Sequence, residues 1–242
     1  MGAGLFRSSL ELSHHILGEA KKLSRPALLG HAEGSTAMIH LFVRDPVAAQ
    51  QHAEASIAIA IEYGIPFELA YATIMRGGAL GAQGYLSDGI AEMHRGIALG
   101  EMAGFARRPR WFALLAELEA RSKGPEEGLK ILNEGIVLLE STEERIFEAE
   151  LHRMRGELLL MQDESNAPTA NSCFQRAIES ARRQNARALE LRATMSLARL
   201  LARQNRRNEA HAVLAQIYSW FAEGFDTADL KDAKALLDEL SN

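Results

Sequence analysis

A small–large–small triplet, spaced four and then three residues apart, recurs along this chain and limits what it can fold into. In residues 167–184 the triplet is Ala170, Phe174 and Ala177, a spacing that puts all three on one stripe of an α-helix. Its first position returns at Ala49, Gly89, Gly128, Ala170 and Ala210, at steps of 40, 39, 42 and 40 residues. Its third position is Ser56, Gly96, Gly135, Ala177 and Ile217, small in four copies of five. Ahead of each triplet another small residue stands in a helical run: Gly156 in the copy above, and Ala37, Gly77, Ala116 and Ala198, each twelve residues before its triplet. A glycine inside a helix costs roughly 1 kcal/mol against alanine, so Gly77 and Gly156 require a packing reason. Close approach of a paired helix, with axes about 8–10 Å apart, supplies it. The expected fold is all-α, a solenoid of stacked helical hairpins with a period near 40 residues.

Composition agrees with helix-on-helix packing. Of the 242 residues 47% are apolar and only 6% aromatic, and abundant Ala and Leu suit helices better than sheets. The net charge of −5 argues against a dedicated nucleic-acid binder. A single cysteine, Cys173, rules out an internal disulfide and fits a reducing, cytoplasmic compartment. Beside Phe174 it reads as a buried thiol. The opening MGAGLFRSSLELSHH lacks the continuous apolar core of a signal peptide. The most apolar window, residues 56–64, is too short to cross a bilayer.

Residues 1–7 are expected to be disordered. Residues 8–24 read as a single helix in the second-helix register, since Ser9 and Ser13 fall forty residues before Ala49 and Ala53. It is thus half of a repeat, and its Leu10, Ile16 and Leu17 form an apolar strip that a homodimer would hide. Five hairpins follow across residues 25–224: 26–43 with 46–63, 66–83 with 86–103, 109–122 with 125–141, 144–162 with 167–184, and 186–204 with 207–222. Arg44-Asp45-Pro46, Ile65-Pro66 and Gly124-Pro125 mark turns, with proline placed for a first helical turn. Gly224 ends the last hairpin, and residues 225–242 hold a capping helix at 228–240 with Asp226 or Thr227 as its N-cap.

The pattern small-x11-small-x3-large-x2-small resembles the tetratricopeptide repeat, stretched from 34 to about 40 residues. Four phrases are more specific: FELAYATIMRGGALGAQG (67–84), FEAELHRMRGELLL (147–160), ARALELRATMSLARLLARQ (186–204) and YSWFAEGFDTADLKDAKALLDEL (218–240). They resemble the C-terminal repeat region of bacterial multidomain regulators, in which a class III adenylate cyclase or LuxR-type head and a signalling ATPase precede such repeats. The resemblance covers roughly residues 24–240. It implies a right-handed α-solenoid acting as scaffold or sensor, with no catalysis and no cofactor. Neither a G-x-x-x-x-G-K-[ST] phosphate loop nor a paired-aspartate cyclase site stands in these residues.

No catalytic or metal-binding constellation is legible. His14 and His15 are the only adjacent pair among eight histidines, and neighbours on a helix point about 100° apart, a poor chelate. H-E-x-x-H and C-x-x-C are absent. Gly77, Gly78 and Gly81 lie inside a helix, without the strand and turn of a dinucleotide site.

What remains is surface. In tetratricopeptide-like stacks the first helix of each pair lines a concave face. Here that face would present Tyr71, Arg110, Glu117, Arg121, Glu150, Arg153, Glu157, Arg192, Arg199 and Arg203. Guanidinium forks suit the carboxylates of a peptide or acidic segment. An ordinary solvated face with pairs such as Glu117–Arg121 and Glu150–Arg153 is the competing reading. Charge is polarised: residues 116–164 are acidic, while 171–210 carry nine arginines against three glutamates. Arg182, Arg183, Arg206 and Arg207 lack the interleaved aromatics of a nucleic-acid platform. Two functions stay open: a protein-binding scaffold, as the tail of a signalling or transcription regulator, or a sensor holding a small effector or peptide in the groove.

Overall fold

The structure is a computed structural model that describes residues 5–23, 25–104, 108–141 and 144–241, with side chains from Leu10 onward. Among the described residues there are twelve α-helices, one 3-10 turn and no strand. The helices are α1 Leu5–Lys22, α2 Pro26–Phe42, α3 Pro46–Tyr63, α4 Pro66–Ala82, α5 Leu86–Met102 and α6 Pro109–Lys123. They continue with α7 Pro125–Ser141, α8 Glu148–Gln162, α9 Ala167–Arg183, α10 Arg187–Arg203, α11 Arg207–Tyr218 and α12 Ala228–Ser241. The chain divides into two compact bodies at residue 122. In the first, α2 pairs with α3 and α4 with α5; in the second, α8 pairs with α9 and α10 with α11. The fold is an all-α solenoid of helical hairpins.

Local chemistry fixes where helices start and stop. Proline opens α2, α3 and α4, where its missing N–H costs nothing and its φ is already helical. The Asp45 carboxylate accepts the Ala48 N–H at 3.1 Å, satisfying one orphan donor of α3. Left-handed backbone recurs at Arg44, Gly64, Gly84, Gly104 and Gly124, twenty residues apart, and again at Asn185, Asn205 and Gly224. Each lies where one helix ends and before the next begins, in a conformation glycine and asparagine adopt cheaply. Arg44 shows that the turn geometry holds even where the residue disfavours it.

The repeating small residues lie at the helix contacts. Every one of the five first-helix small positions and every triplet residue is buried. The middle positions, Ala53, Met93, Leu132, Phe174 and Leu214, have no exposed surface at all. Glycine is required where backbones touch: a Cβ on Gly77 would lie 2.7 Å from the Gly89 carbonyl oxygen and from the Met93 nitrogen. In α8, a Cβ on Gly156 would enter the Phe174 ring, 2.8 Å from Cδ1. The large Phe174 and Met93 side chains both face glycine, whereas the copies with Ala53, Leu132 or Leu214 carry alanine at the facing position.

Four expectations from the sequence need correction. The chain is helical from Leu5 rather than disordered to residue 7, while residues 1–4 lie outside the described residues. α8 begins at Glu148, not 144, after a turn closed by the Glu148 N–H on the Arg145 carbonyl at 3.0 Å. α11 ends at Tyr218, not 222, because its tail joins an aromatic cluster. Trp220 meets Phe221 edge-on at 5.3 Å, Arg187 lies 5.2 Å over the Trp220 ring, and Tyr218 meets Phe225 at 5.8 Å. Lastly, of the expected strip Ile16 is exposed and Leu10 half-buried, but Leu17 is buried against α2 beside Ala20, Leu29 and Ala32; Leu12 and Leu23 join Ile16 as the exposed large apolar residues of this segment. The true phase is set by which side α2 covers.

Candidate interaction face

In each body the first helices of the pairs are tied to one another by a ladder of polar and aromatic side chains. In the body of residues 7–122 the ladder crosses α2, α4 and α6. Gly30 and Gly34, one turn apart on α2, leave a notch: a Cβ on Gly34 would stand 3.0 Å from the Tyr71 ring, and one on Gly30 3.6 Å from Glu68 Cγ. Tyr71 fills this notch and is only 4% exposed. Its hydroxyl lies 3.3 Å from the Met38 sulfur, and burial raises its pKa. The Arg110 guanidinium sits 5.8 Å from the Tyr71 ring centroid, within cation–π range. His31 stacks on Phe67 and Tyr71 at 6.1 and 6.4 Å. Its Nδ1 lies 3.0 Å from the buried Glu68 carboxylate. That hydrogen bond raises the His31 pKa against the opposing pull of partial burial and of Arg110.

The body of residues 123–242 builds the equivalent ladder from arginine and carboxylate across α8, α10 and α12. Arg153 donates Nε and a terminal nitrogen to Glu150 at 3.0 and 2.6 Å and lies 3.6 Å from Glu157. Ser196 donates to Glu157 at 2.5 Å, linking α10 to α8. Arg192 Nε donates to Asp229 at 2.7 Å, linking α10 to α12. Burial alone would raise the Glu150 carboxyl, but the charge and hydrogen bonds of Arg153, with Arg192 nearby, hold it below the ordinary carboxylate range. Bidentate geometry of this kind fixes the planes of both partners.

The ten residues expected on this face therefore differ in role. Tyr71 presents almost no surface, because the α2 glycines admit its ring. Arg153 and Arg192 are largely buried and Glu150 sits beneath them. Arg110 is half-buried on Tyr71. Arg121 does not pair with Glu117; it reaches back to α4 and donates to the Gly81 carbonyl at 3.2 Å. Glu117, Arg199 and Arg203 are exposed, and Glu157 is partly so. Sequence reasoning missed His31, Phe67, Glu68, Ser196 and Asp229. Gly30 and Gly34 at i and i+4 were the legible sign that something large enters α2.

The arginine-rich stretch is mostly neutralised from within. Arg182 and Arg187 both bind the buried Glu190 at 2.6 Å. Arg183 lies 3.3 Å from Glu148, and Arg206 2.7 Å from Glu209. Arg199 and Arg203, one turn apart on α10, have no ion-pair partner among the described residues. Of the remaining candidates for chemistry, Cys173 is buried and free, and burial raises its thiol pKa. His152 is also buried; desolvation and the charges of Arg176 and Arg155 lower it to about 4. Among the described residues no group of three His, Cys, Asp or Glu is placed to hold a metal ion. No helix there is long and apolar enough to cross a membrane.

Among solved structures, BtubC (BKLC) from P. vanneervenii superposes with a TM-score of 0.61 at 13% identity, over 97% of this chain and 93% of that one. The TPR-like repeats of a Podosopora anserina putative kinesin light chain superpose with a TM-score of 0.54 at 14% identity, over 80% of this chain and 94% of theirs. At such identities the likeness is one of fold. No protein-family model matches the sequence, and no curated protein sequence matches it.

Proposed function

We propose that the chain is a non-catalytic protein-interaction module whose first-helix face takes an acidic peptide segment. The observation that carries this reading is the contrast along α10. Arg192 is paired with Asp229 at 2.7 Å, whereas Arg199 and Arg203 are exposed on the same helix with no ion-pair partner among the described residues. A preorganised ladder flanked by two open guanidinium groups favours a ligand that brings its own carboxylates. The residue phrases at 147–160, 186–204 and 218–240 support placing the module in the repeat tail of a bacterial signalling or transcription regulator.

The test is a fluorescence-anisotropy titration of labelled Asp/Glu-rich peptides against the full chain. Binding is expected to weaken with salt, as exposed charge pairs do. It is also expected to fall about tenfold in Arg199→Glu/Arg203→Glu, a change of roughly 1.4 kcal/mol. Equal affinity in the double variant, or a small metabolite raising the melting temperature while every peptide stays silent, would overturn the reading in favour of effector sensing.

A further inference from the structure

Three histidines from three successive helices meet at one end of the first body. The His14 ring of α1 lies 6.2 Å from that of His40 on α2, and His40 lies 5.2 Å from His52 on α3 at an interplanar angle of 18°. His40, in the middle, is 8% exposed, and neither of its ring nitrogens has a hydrogen-bond partner. Buried polar atoms left in that condition are uncommon and call for a reason.

We propose that this stack is an acid-triggered release for α1, in which protonation of the buried imidazole drives α1 off the body while α2–α5 stay folded. The charged and titratable groups that act on His40 are Asp45 and the His52 and His14 rings. Asp45 Oδ2 is 3.5 Å from its Nδ1, beyond a good hydrogen bond, and that carboxylate is half-exposed while its Oδ1 caps the Ala48 N–H. A second carboxylate, Glu33, is engaged by His52 at 2.7 Å. Protonating His40 thus places a cation between two further imidazoles, with a half-exposed carboxylate as its nearest counter-charge. Burial first, then the His52 and His14 rings, hold His40 below the usual imidazole range, and the pull of Asp45 does not reverse it.

The sign follows from linkage. A histidine depressed in the docked state favours docking above the ordinary value of about 6.5, and that contribution is lost as pH falls through the lower, docked value. Undocking takes His14 away and opens His40 to water, so the proton is taken up most readily by the released form. Among the described side chains α1 buries Ser13, Leu17 and Ala20, the last two against Leu29 and Ala32. Its other side carries Leu12, Ile16 and Leu23 at 57%, 49% and 56% exposure. Histidine clusters that protonate near pH 5–6 are a known means of moving one element against another.

Hydrogen exchange of the full chain, corrected for intrinsic rates, tests this at pH 7.5 and 5.5. Protection of residues 10–23 is expected to fall several-fold on acidification, up to the limit of about tenfold that one histidine kept neutral in the docked state can contribute between these pH values, while residues 67–100 keep theirs. In His40→Phe the drop should shrink to under about twofold, and in His14→Gln, an exposed site that does not disturb the core, it should be reduced several-fold. Unchanged protection of 10–23 in the native chain, an equal loss in 67–100, or the full drop persisting in both variants would each overturn the proposal.

Discussion

Gly77 and Gly89 exclude each other's Cβ: one built on Gly77 would lie 2.7 Å from the Gly89 carbonyl oxygen, and one on Gly89 2.6 Å from the Gly77 carbonyl oxygen. The α4–α5 contact is therefore backbone against backbone. Gly77→Ala is expected to destabilise the first body by about 1–3 kcal/mol despite the better helix propensity of alanine, because neither backbone can yield alone. Gly18→Ala, on α1 with nothing within 4 Å, should instead stabilise its helix by up to about 1 kcal/mol. Thermal melts checking opposite signs at the two glycines separate propensity from contact.

Phe174 and Gly156 are coupled in the same manner in the second body, the ring standing where a Cβ would go. Phe174→Ala should cost about 3–5 kcal/mol, the range for emptying a fully buried aromatic site. Gly156→Ala should be costly in the native background and markedly less so with Phe174→Leu. A double-mutant cycle reads the coupling, expected at about 0.5–3 kcal/mol; strict additivity would show that the two do not share space.

Arg192 and Asp229, 13% and 5% exposed in their side chains, tie α10 to α12. Removing one partner leaves a buried charge, so Asp229→Ala should destabilise by about 3–5 kcal/mol, whereas Arg192→Met/Asp229→Leu should cost far less. Hydrogen exchange over 228–241 should rise sharply in the single variant and only modestly in the double one.

The His31–Glu68 pair gives the first body a pH dependence opposite to that of the α1 junction. Because the hydrogen bond to Glu68 raises the folded value, its contribution is fully present below about pH 6.5 and is lost as pH rises through the raised value. The melting-temperature gap between the native chain and His31→Gln is expected to be widest near pH 6 and to close towards pH 8.5, with about half of the imidazole in solvent keeping it small. A gap that grows with pH would contradict the assigned sign.

The first body meets its buried carboxylates Glu33 and Glu68 with histidine, the second meets Glu190 and Asp229 with arginine. Nothing local in the sequence announces that difference, since the partners of Glu68 and Asp229 lie 37 residues away. The repeat register also placed Tyr71 on a surface, and two glycines on the facing helix took it inside.

By itself the sequence determined the helices, their pairing and the positions where they touch. A forty-residue period of small side chains admits only close-packed hairpins, and proline, glycine and asparagine punctuate the backbone locally. Only tertiary structure decided which side of α1 is covered, which cation answers which carboxylate, and that His14, His40 and His52 share one corner. Those outcomes depend on rotation of each helix about its axis and on contacts between repeats. The short-range pattern constrains both loosely, because Coulomb attraction and burial act between atoms brought near in space, whatever their separation along the chain.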